Sequence, residues 1–364
     1  MKICHVTTSH QRYDGRIFQK ECISLAKKYE VILLCSDTEN DEKKNNVSIH
    51  SVGINNRTKI NRFIVIPLKL KKECININAD VYHFHDPELI RLALTMKKKG
   101  KKVIYDSHED NVNRIDNRTW IPIFLKPLIK KCFCKLEKKV VSQIDATITV
   151  ADHIYDRLSK YNSNTVIVTN YPVIDNKQIS NLKNNKTLCF AGGVDKQYMH
   201  HNIIKAIEKL NVKYKVAGSI SKEYKKELEG LNVAKKMELL GTLPKEKVNR
   251  LYLESGIGMV LIDYVPNINY KQGSMGITKI FEYMAYGLPI VATDLDIWLK
   301  FVPNKCGICV NPHNINEISD AINYLINHPK EAKKMGENGR KLVEKKYNWK
   351  TQEKVLYDLY ERLK

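Results

Sequence analysis

Glycine and proline are scarce, at 16 and 11 of 364 residues, which excludes collagen-like repeats and low-complexity tethers. Acidic side chains are also in deficit, 40 Asp and Glu against 61 Lys and Arg, for a formal charge of +21. No apolar run approaches the ~18 residues that a membrane span needs. Met1 to Ser9 reads as a buried strand and lacks the apolar core of a signal peptide. A cytoplasmic, globular protein is therefore expected. The nine cysteines are odd in number and scattered through apolar segments, the usage of reduced core thiols. Cys306 and Cys309 form a C-x-x-C, but no second pair or His couple stands nearby, so neither zinc nor redox chemistry is expected there.

The charge implies a polyanionic neighbour: nucleic acid, anionic lipid or a phosphorylated substrate. No zinc-finger or aromatic RNA-binding signature accompanies it, so nucleic acid is not the expected partner.

Short apolar runs alternate with amphipathic segments from the first residue onward, the pattern of parallel sheets with crossover helices. Strands are expected at Lys2 to Thr7, Val31 to Cys35, Val47 to Val52, Val81 to Phe84, Lys102 to Tyr105, Ala146 to Val150 and Thr165 to Val168. Between the first two, Gly15 to Lys28 carries Phe18, Cys22, Leu25 and Ala26 at helical spacing. The period lapses over Asn170 to Lys186, and a second series follows: Thr187 to Ala191, Tyr214 to Ala217, Glu238 to Leu240, Ile257 to Leu261, Ile290 to Ala292 and Gly307 to Val310. The expected organisation is an α/β fold of two Rossmann-like, doubly wound domains, residues 1–170 and 187–348, with a linker at 171–186. A final helix, 349–364, is expected to dock back across the domains. Ligands of such an architecture bind at the carboxyl ends of the strands, in a cleft between the sheets.

The stretch Gly273 to Asp294 reads GSMGITKIFEYMAYGLPIVATD. Thr278 is a candidate cap for a helix whose first amides would meet a diphosphate, and Lys279 adds a full charge there. Glu282, one turn on, can accept hydrogen bonds from vicinal hydroxyls such as those of a ribose. Gly287 and Pro289 end the helix before a strand.

This segment, F-E-Y-M-A-x-G-x-P-x-V-A, resembles the donor-nucleotide segment of the retaining family 4 glycosyltransferases of GT-B fold. The resemblance extends over DVYHFH (Asp80 to His85), VIYDSHE (Val103 to Glu109), IDATITVA (Ile144 to Ala151), TVIVTNYP (Thr165 to Pro172), Val216 to Ser219 and Leu240 to Leu243. The opening His10-x-x-x-Asp14-x-Arg16-Ile17-Phe18-x-Lys20-Glu21 is similar to a branch that makes surface polysaccharides. The resemblance implies His108, Lys279 and Glu282 as catalytic residues. It implies donor contacts from Gly192, Gly193, Lys196, Gly218, Thr242, Leu243, Ser274, Gly276, Ile277, Thr278 and Glu282. His10, Arg16 and His85 fall on the acceptor or phosphate side, although an ion pair with a neighbouring carboxylate is an equal reading of Arg16. Two places depart from the family: Ser274 stands where a first glutamate is usual, and Gly193 and Tyr198 replace a usual Arg and Lys. Lys196, Lys279 and Arg16 are the basic groups available as substitutes.

What the resemblance implies is transfer of a sugar, with retained configuration, from a nucleoside diphosphate sugar to a glycan or lipid-linked acceptor. Neither metal nor cofactor is expected; Asp294-Leu295-Asp296, a D-x-D, reads as the start of the next loop rather than a metal site. A non-catalytic partner subunit and a sugar-nucleotide epimerase on the same fold stay open as alternatives. The segment Ile121 to Val141 sets Lys126, Lys130, Lys131, Lys135, Lys138 and Lys139 opposite Leu125, Ile129, Cys132, Phe133, Leu136 and Val140. A solvated basic face and docking on the inner, anionic face of the cell membrane are both open for it.

Overall fold

A computed structural model describes residues 1–55, 58–116, 121–174, 186–231, 234–303 and 305–364. The chain divides into two units, Met1–Asn170 with Lys350–Lys364, and Tyr171–Trp349. Residues 175–185 of the expected linker lie outside the described residues.

Unit 1 is built on eight strands: β1 (Lys2–Val6), β2 (Glu30–Cys35), β3 (Glu42–Lys44), β4 (Val47–Ser51), β5 (Val81–Phe84), β6 (Lys102–Ser107), β7 (Ala146–Thr149) and β8 (Thr165–Ile167). Their order is β3-β4-β2-β1-β5-β6-β7-β8. All pairings are parallel except β3 with β4. β1, β5, β6 and β7 are buried along nearly their whole length, so they read as continuous apolar runs rather than alternations. β3 is not expected from the sequence, because Glu42-Lys43-Lys44 is charged throughout. Asn45 and Asn46 create it: both take positive φ, 49° and 63°, and fold the chain tightly back into β4.

Unit 2 has six strands: β9 (Thr187–Ala191), β10 (Lys213–Ala217), β11 (Met237–Gly241), β12 (Ile257–Val260), β13 (Ile290–Thr293) and β14 (Gly307–Val310). They run all parallel in the order β11-β10-β9-β12-β13-β14. In both sheets the order reverses direction beside the first strand of the unit, the arrangement that opens a ligand crevice at the strands' carboxyl ends.

Two local expectations change, at the segment after β1 and at the helix after β6. The expected helix over Gly15 to Lys28 is a π-helical turn, Ile17–Cys22, running into a short α-turn, Ile23–Leu25. Its wider winding places Arg16 and Glu21 together in the interior. The final helix, Trp349–Glu361, packs on unit 1: Tyr360 meets His83, Tyr357 donates to the Ser24 carbonyl at 2.6 Å, and Gln352 accepts from the Thr169 amide at 2.8 Å. In the helix Lys126–Val141, Val140 is buried but Ile129 and Cys132 are exposed, so the apolar stripe is covered only toward its end. The helix instead buries Glu137, which pairs with Arg157.

Candidate functional site

In unit 2 the carboxyl ends of β9, β10 and β11 enclose a pocket of 450 Å³, lined by Ala191, Gly192, Gly193, Gly218, Thr242 and Glu282 among others. Two glycines make it possible. A Cβ on Gly218 would stand 1.7 Å from the Gly192 carbonyl oxygen, so the two loops approach as bare backbone. A Cβ on Gly192, whose φ is +153°, would meet Lys279 Nζ at 2.4 Å. Lys279 thus lies directly on the β9 loop, its ammonium 4.9 Å from the Tyr198 ring centre and 5.4 Å from that of Phe190. Tyr198, at the place where the family usually has a base, here flanks Lys279 with a π-face.

Glu282 reaches the pocket from the helix Lys279–Ala285. One of its carboxylate oxygens accepts from the buried Tyr252 hydroxyl at 2.8 Å, which holds the group in place. Tyr252 and Lys245 also line the pocket, and sequence reading missed both. They come from the helix Lys245–Leu253, which packs beside β9; only the helical start after Gly241-Thr242-Leu243-Pro244 hinted at it.

Thr278 does not cap that helix with its side chain, and its backbone is already helical (φ −79°, ψ −8°). The amide of Gly276 is taken by Ser274 Oγ at 3.1 Å. Ser274 and Ile277 are buried, so their place is in the turn's packing. Lys196, nominated for the phosphates, pairs instead with Glu227 at 2.6 Å and is 67% exposed. In the D-x-D, Asp294 accepts from Tyr264 and from Lys271, contacts that fix the loop.

In unit 1 the carboxyl ends of β1, β5 and β6 converge on a buried ionic network. Arg16 is almost fully buried and binds Asp106 at 2.8 Å, Glu21 at 3.0 Å and the Val168 carbonyl at 2.6 Å. This corrects the nomination of Arg16 as a phosphate ligand: its guanidinium is consumed inside the fold. Burial pushes the Glu21 carboxyl well above its usual range, outweighing Arg16. Burial would raise Asp106 too, but Arg16 and His108 hold it well below.

His108 follows β6, with Nε2 3.1 Å from Asp106 and 3.0 Å from His85 Nδ1. A carboxylate only accepts, so the network assigns the proton to His108 Nε2. Its Nδ1 is the ring nitrogen left for a ligand, on a side chain 14% exposed. His85 passes the order inward by bonding His5 Nδ1 at 2.9 Å. Burial lowers His85 and His5 well below the ordinary histidine range, so both are neutral. His10 packs against His108, ring centres 4.9 Å apart, and bonds Asp14 at 3.3 Å. Burial opposes its charge, but Asp14 and Asp86 together raise its pKa. Asp86 fixes the loop after β1 through Thr7 Oγ1 at 2.6 Å and the Thr8 amide at 2.8 Å.

His5, Glu21, His83 and His85 bring donor atoms within 4.8 Å of one another, as do His85, Asp106 and His108. The adjacent Arg16 guanidinium opposes a cation at either.

A family model described as Glycosyltransferase Family 4 matches residues 3–178, and one described as Glycosyl transferases group 1 matches residues 173–342. The chain is a family 4 glycosyltransferase of GT-B fold. Solved glycosyltransferases share that fold over their whole length. The sucrose-phosphate synthase of Thermosynechococcus elongatus superposes with a TM-score of 0.78 at 14% identity, over 100% of this chain and 98% of its own. HepE of Anabaena, in complex with UDP and glucose, gives 0.74 at 13% identity, over 100% of both chains. The lipopolysaccharide outer core galactosyltransferase WaaB gives 0.65 at 12%, over 100% of this chain and 99% of that one. No curated protein matches the sequence. Among the described residues, no helix of this glycosyltransferase is long and apolar enough to cross a membrane.

Proposed function

We propose that the unit 2 pocket binds a nucleoside diphosphate sugar and that the enzyme transfers its sugar, with retained configuration, to a glycan or lipid-linked acceptor of surface polysaccharide synthesis. The carrying observation is that Glu282 lines the glycine-walled pocket of β9 and β10 while Lys279, one turn before it, lies against Gly192 in the pocket's wall. Bare backbone at Gly192 and Gly218 lets the two loops and Lys279 close on one another beside the pocket, and Lys279 neutralises the charge that builds as the leaving group departs. Glu282, held by Tyr252, offers its free oxygen to a ribose diol. The HepE structure, with UDP bound, supports a nucleotide ligand of this kind.

On the acceptor side, His108 is the proposed group at the reacting hydroxyl. In its neutral form the ring accepts a hydrogen bond from the hydroxyl at Nδ1 and orients it, while Asp106 holds the ring through Nε2. With no second carboxylate beside His108 among the described residues, the departing phosphate takes the acceptor's proton during same-side attack. No step is assigned to a metal.

The test is a thermal-shift screen across nucleoside diphosphate sugars, since a ligand of the folded state alone must raise the melting temperature. A donor should raise it, and Lys279→Ala should weaken that response at least tenfold in concentration. No response from any nucleotide would favour the non-catalytic reading. Conversion of donor to another nucleotide sugar without acceptor would favour the epimerase.

A further inference from the structure

Unit 1 carries a second cavity, of 340 Å³, lined by none of the network's histidines. Hydrocarbon dominates its lining: Phe63, Ile90, Ile115, Ile121, Phe133 and Leu136. It lies between the π-helical turn Asn61–Val65, which leads into the helix Ile66–Ile77, and the helix Lys126–Val141. Its volume is at the low end of ligand pockets, roughly 300–1,000 Å³, and suits a stretch of chain rather than a whole lipid.

Three arginines, Arg62, Arg91 and Arg114, share that lining. Arg62 is bound to Glu88 at 2.6 Å, and Arg114 pairs with Glu109. Arg91 is exposed and has no anionic partner among the described residues, so the cavity presents one uncompensated cation.

The walls continue outward as apolar surface. Ile60, Ile64 and Leu68 recur at helical spacing and stand 67%, 56% and 64% exposed. Ile123, Phe124 and Leu128, on the other wall, are 82%, 79% and 58% exposed. Contiguous exposure of this kind marks an interaction surface, since isolated side chains alone would need no explanation. Lys131 and Lys135 stand exposed on the same helix. Apolar side chains interleaved with bases fit an anionic lipid–water interface, where the former enter the acyl boundary and the latter meet phosphates.

We infer that this cavity takes the first stretch of hydrocarbon chain of a membrane-borne lipid phosphate, with the phosphate on Arg91 and Ile64, Leu68, Phe124 and Leu128 inserted at the bilayer surface. The inference rests on the lipid-linked form of the acceptor in the proposed function and names where that lipid would bind. The apolar stripe left uncovered at Ile129 is then the cavity's wall rather than a packing fault.

Titration of the purified full chain with decyl phosphate, below its micellar concentration, tests the site, with inorganic phosphate in parallel. Decyl phosphate should bind saturably and inorganic phosphate should not. Ile129→Trp, which fills the cavity from an exposed position, and Arg91→Gln should each weaken binding at least tenfold with unchanged melting temperature. The chain should float with phosphatidylcholine vesicles containing phosphatidic acid, and Leu128→Ser should reduce flotation severalfold. Equal binding by both variants and the parent would overturn the site. A concentration-dependent dimer abolished by Leu128→Ser, with no decyl phosphate bound, would assign the surface to a second copy and overturn it as well. The UDP-induced thermal shift on the same samples reads the donor pocket separately. A UDP response without lipid binding sinks this inference alone, and lipid binding without any nucleotide response sinks the transferase reading alone.

Discussion

Glu282 stands in two relationships that a single substitution would confound, and separating them tests the donor site. Its one oxygen accepts from the Tyr252 hydroxyl at 2.8 Å, on a phenol that is fully buried between the rings of Tyr283 and Tyr286. Its other oxygen is free to meet a ligand on the pocket wall. Glu282→Ala should therefore lose about 1–3 kcal/mol of folding stability, because the Tyr252 hydroxyl is left buried without an acceptor. It should independently lose about 1.5–3 kcal/mol of donor binding, the range for a hydrogen bond to a charged acceptor. That is roughly 10- to 150-fold in Kd. The double variant Tyr252→Phe/Glu282→Ala removes the stranded donor, so stability should return toward that of Tyr252→Phe while affinity stays low. Urea unfolding and calorimetry with UDP measure the two quantities separately. The reasoning is refuted if UDP binds Glu282→Ala as tightly as the parent, or if the double variant recovers affinity along with stability. Either result would leave Glu282 a purely structural partner of Tyr252.

The backbone contact of the pocket loops predicts a contrast between neighbouring glycines. Gly218→Ala should destabilise by more than about 3 kcal/mol, since its Cβ has no room against the Gly192 carbonyl, whereas Gly193→Ala, with nothing within 4 Å, should unfold like the parent in urea. Acid should weaken unit 1 before the carboxylates titrate. Burial lowers His5, His83 and His85 in the folded state, so below about pH 6.5 the unfolded chain binds protons that the folded chain refuses. Each should cost up to about 1.4 kcal/mol per pH unit as pH falls from there toward the folded values, and urea midpoints that stay flat from pH 7 to 5 would show that burial leaves these imidazoles unshifted. His10, whose folded pKa is raised, acts with the opposite sign and only above that window.

The strand framework was legible because it rests on burial of contiguous runs, a property each segment carries alone. β5, β9 and β14 begin and end where the apolar runs Val81 to Phe84, Thr187 to Ala191 and Gly307 to Val310 do. β3 was not legible from hydrophobicity, since a charged edge strand exists only by virtue of its turn, and the signal lay in Asn45-Asn46. Site residues divide the same way. Glu282 and Lys279 were found through a local string whose spacing is itself the geometry. Tyr252 and Lys245 enter the pocket only because their helix packs beside β9, and no local pattern encodes that neighbour.

Arg16 shows why charge alone misleads at such a site. Nothing in its neighbourhood in sequence distinguishes a phosphate-binding arginine from one buried in a network, because its partner Asp106 lies ninety residues away and Val168 further still. The π-helical winding after Arg16 decides the matter by turning Glu21 inward onto the same guanidinium. With two carboxyls to share, the network keeps Asp106 ionised, and it is Asp106 that fixes the proton on His108 Nε2. Arg16 thus serves the proposed acceptor chemistry as a positioning residue, two contacts removed from the hydroxyl. Positive charge for an incoming anion comes from groups the fold does not spend, among them Lys279 and Lys245 in unit 2 and Arg91 in unit 1.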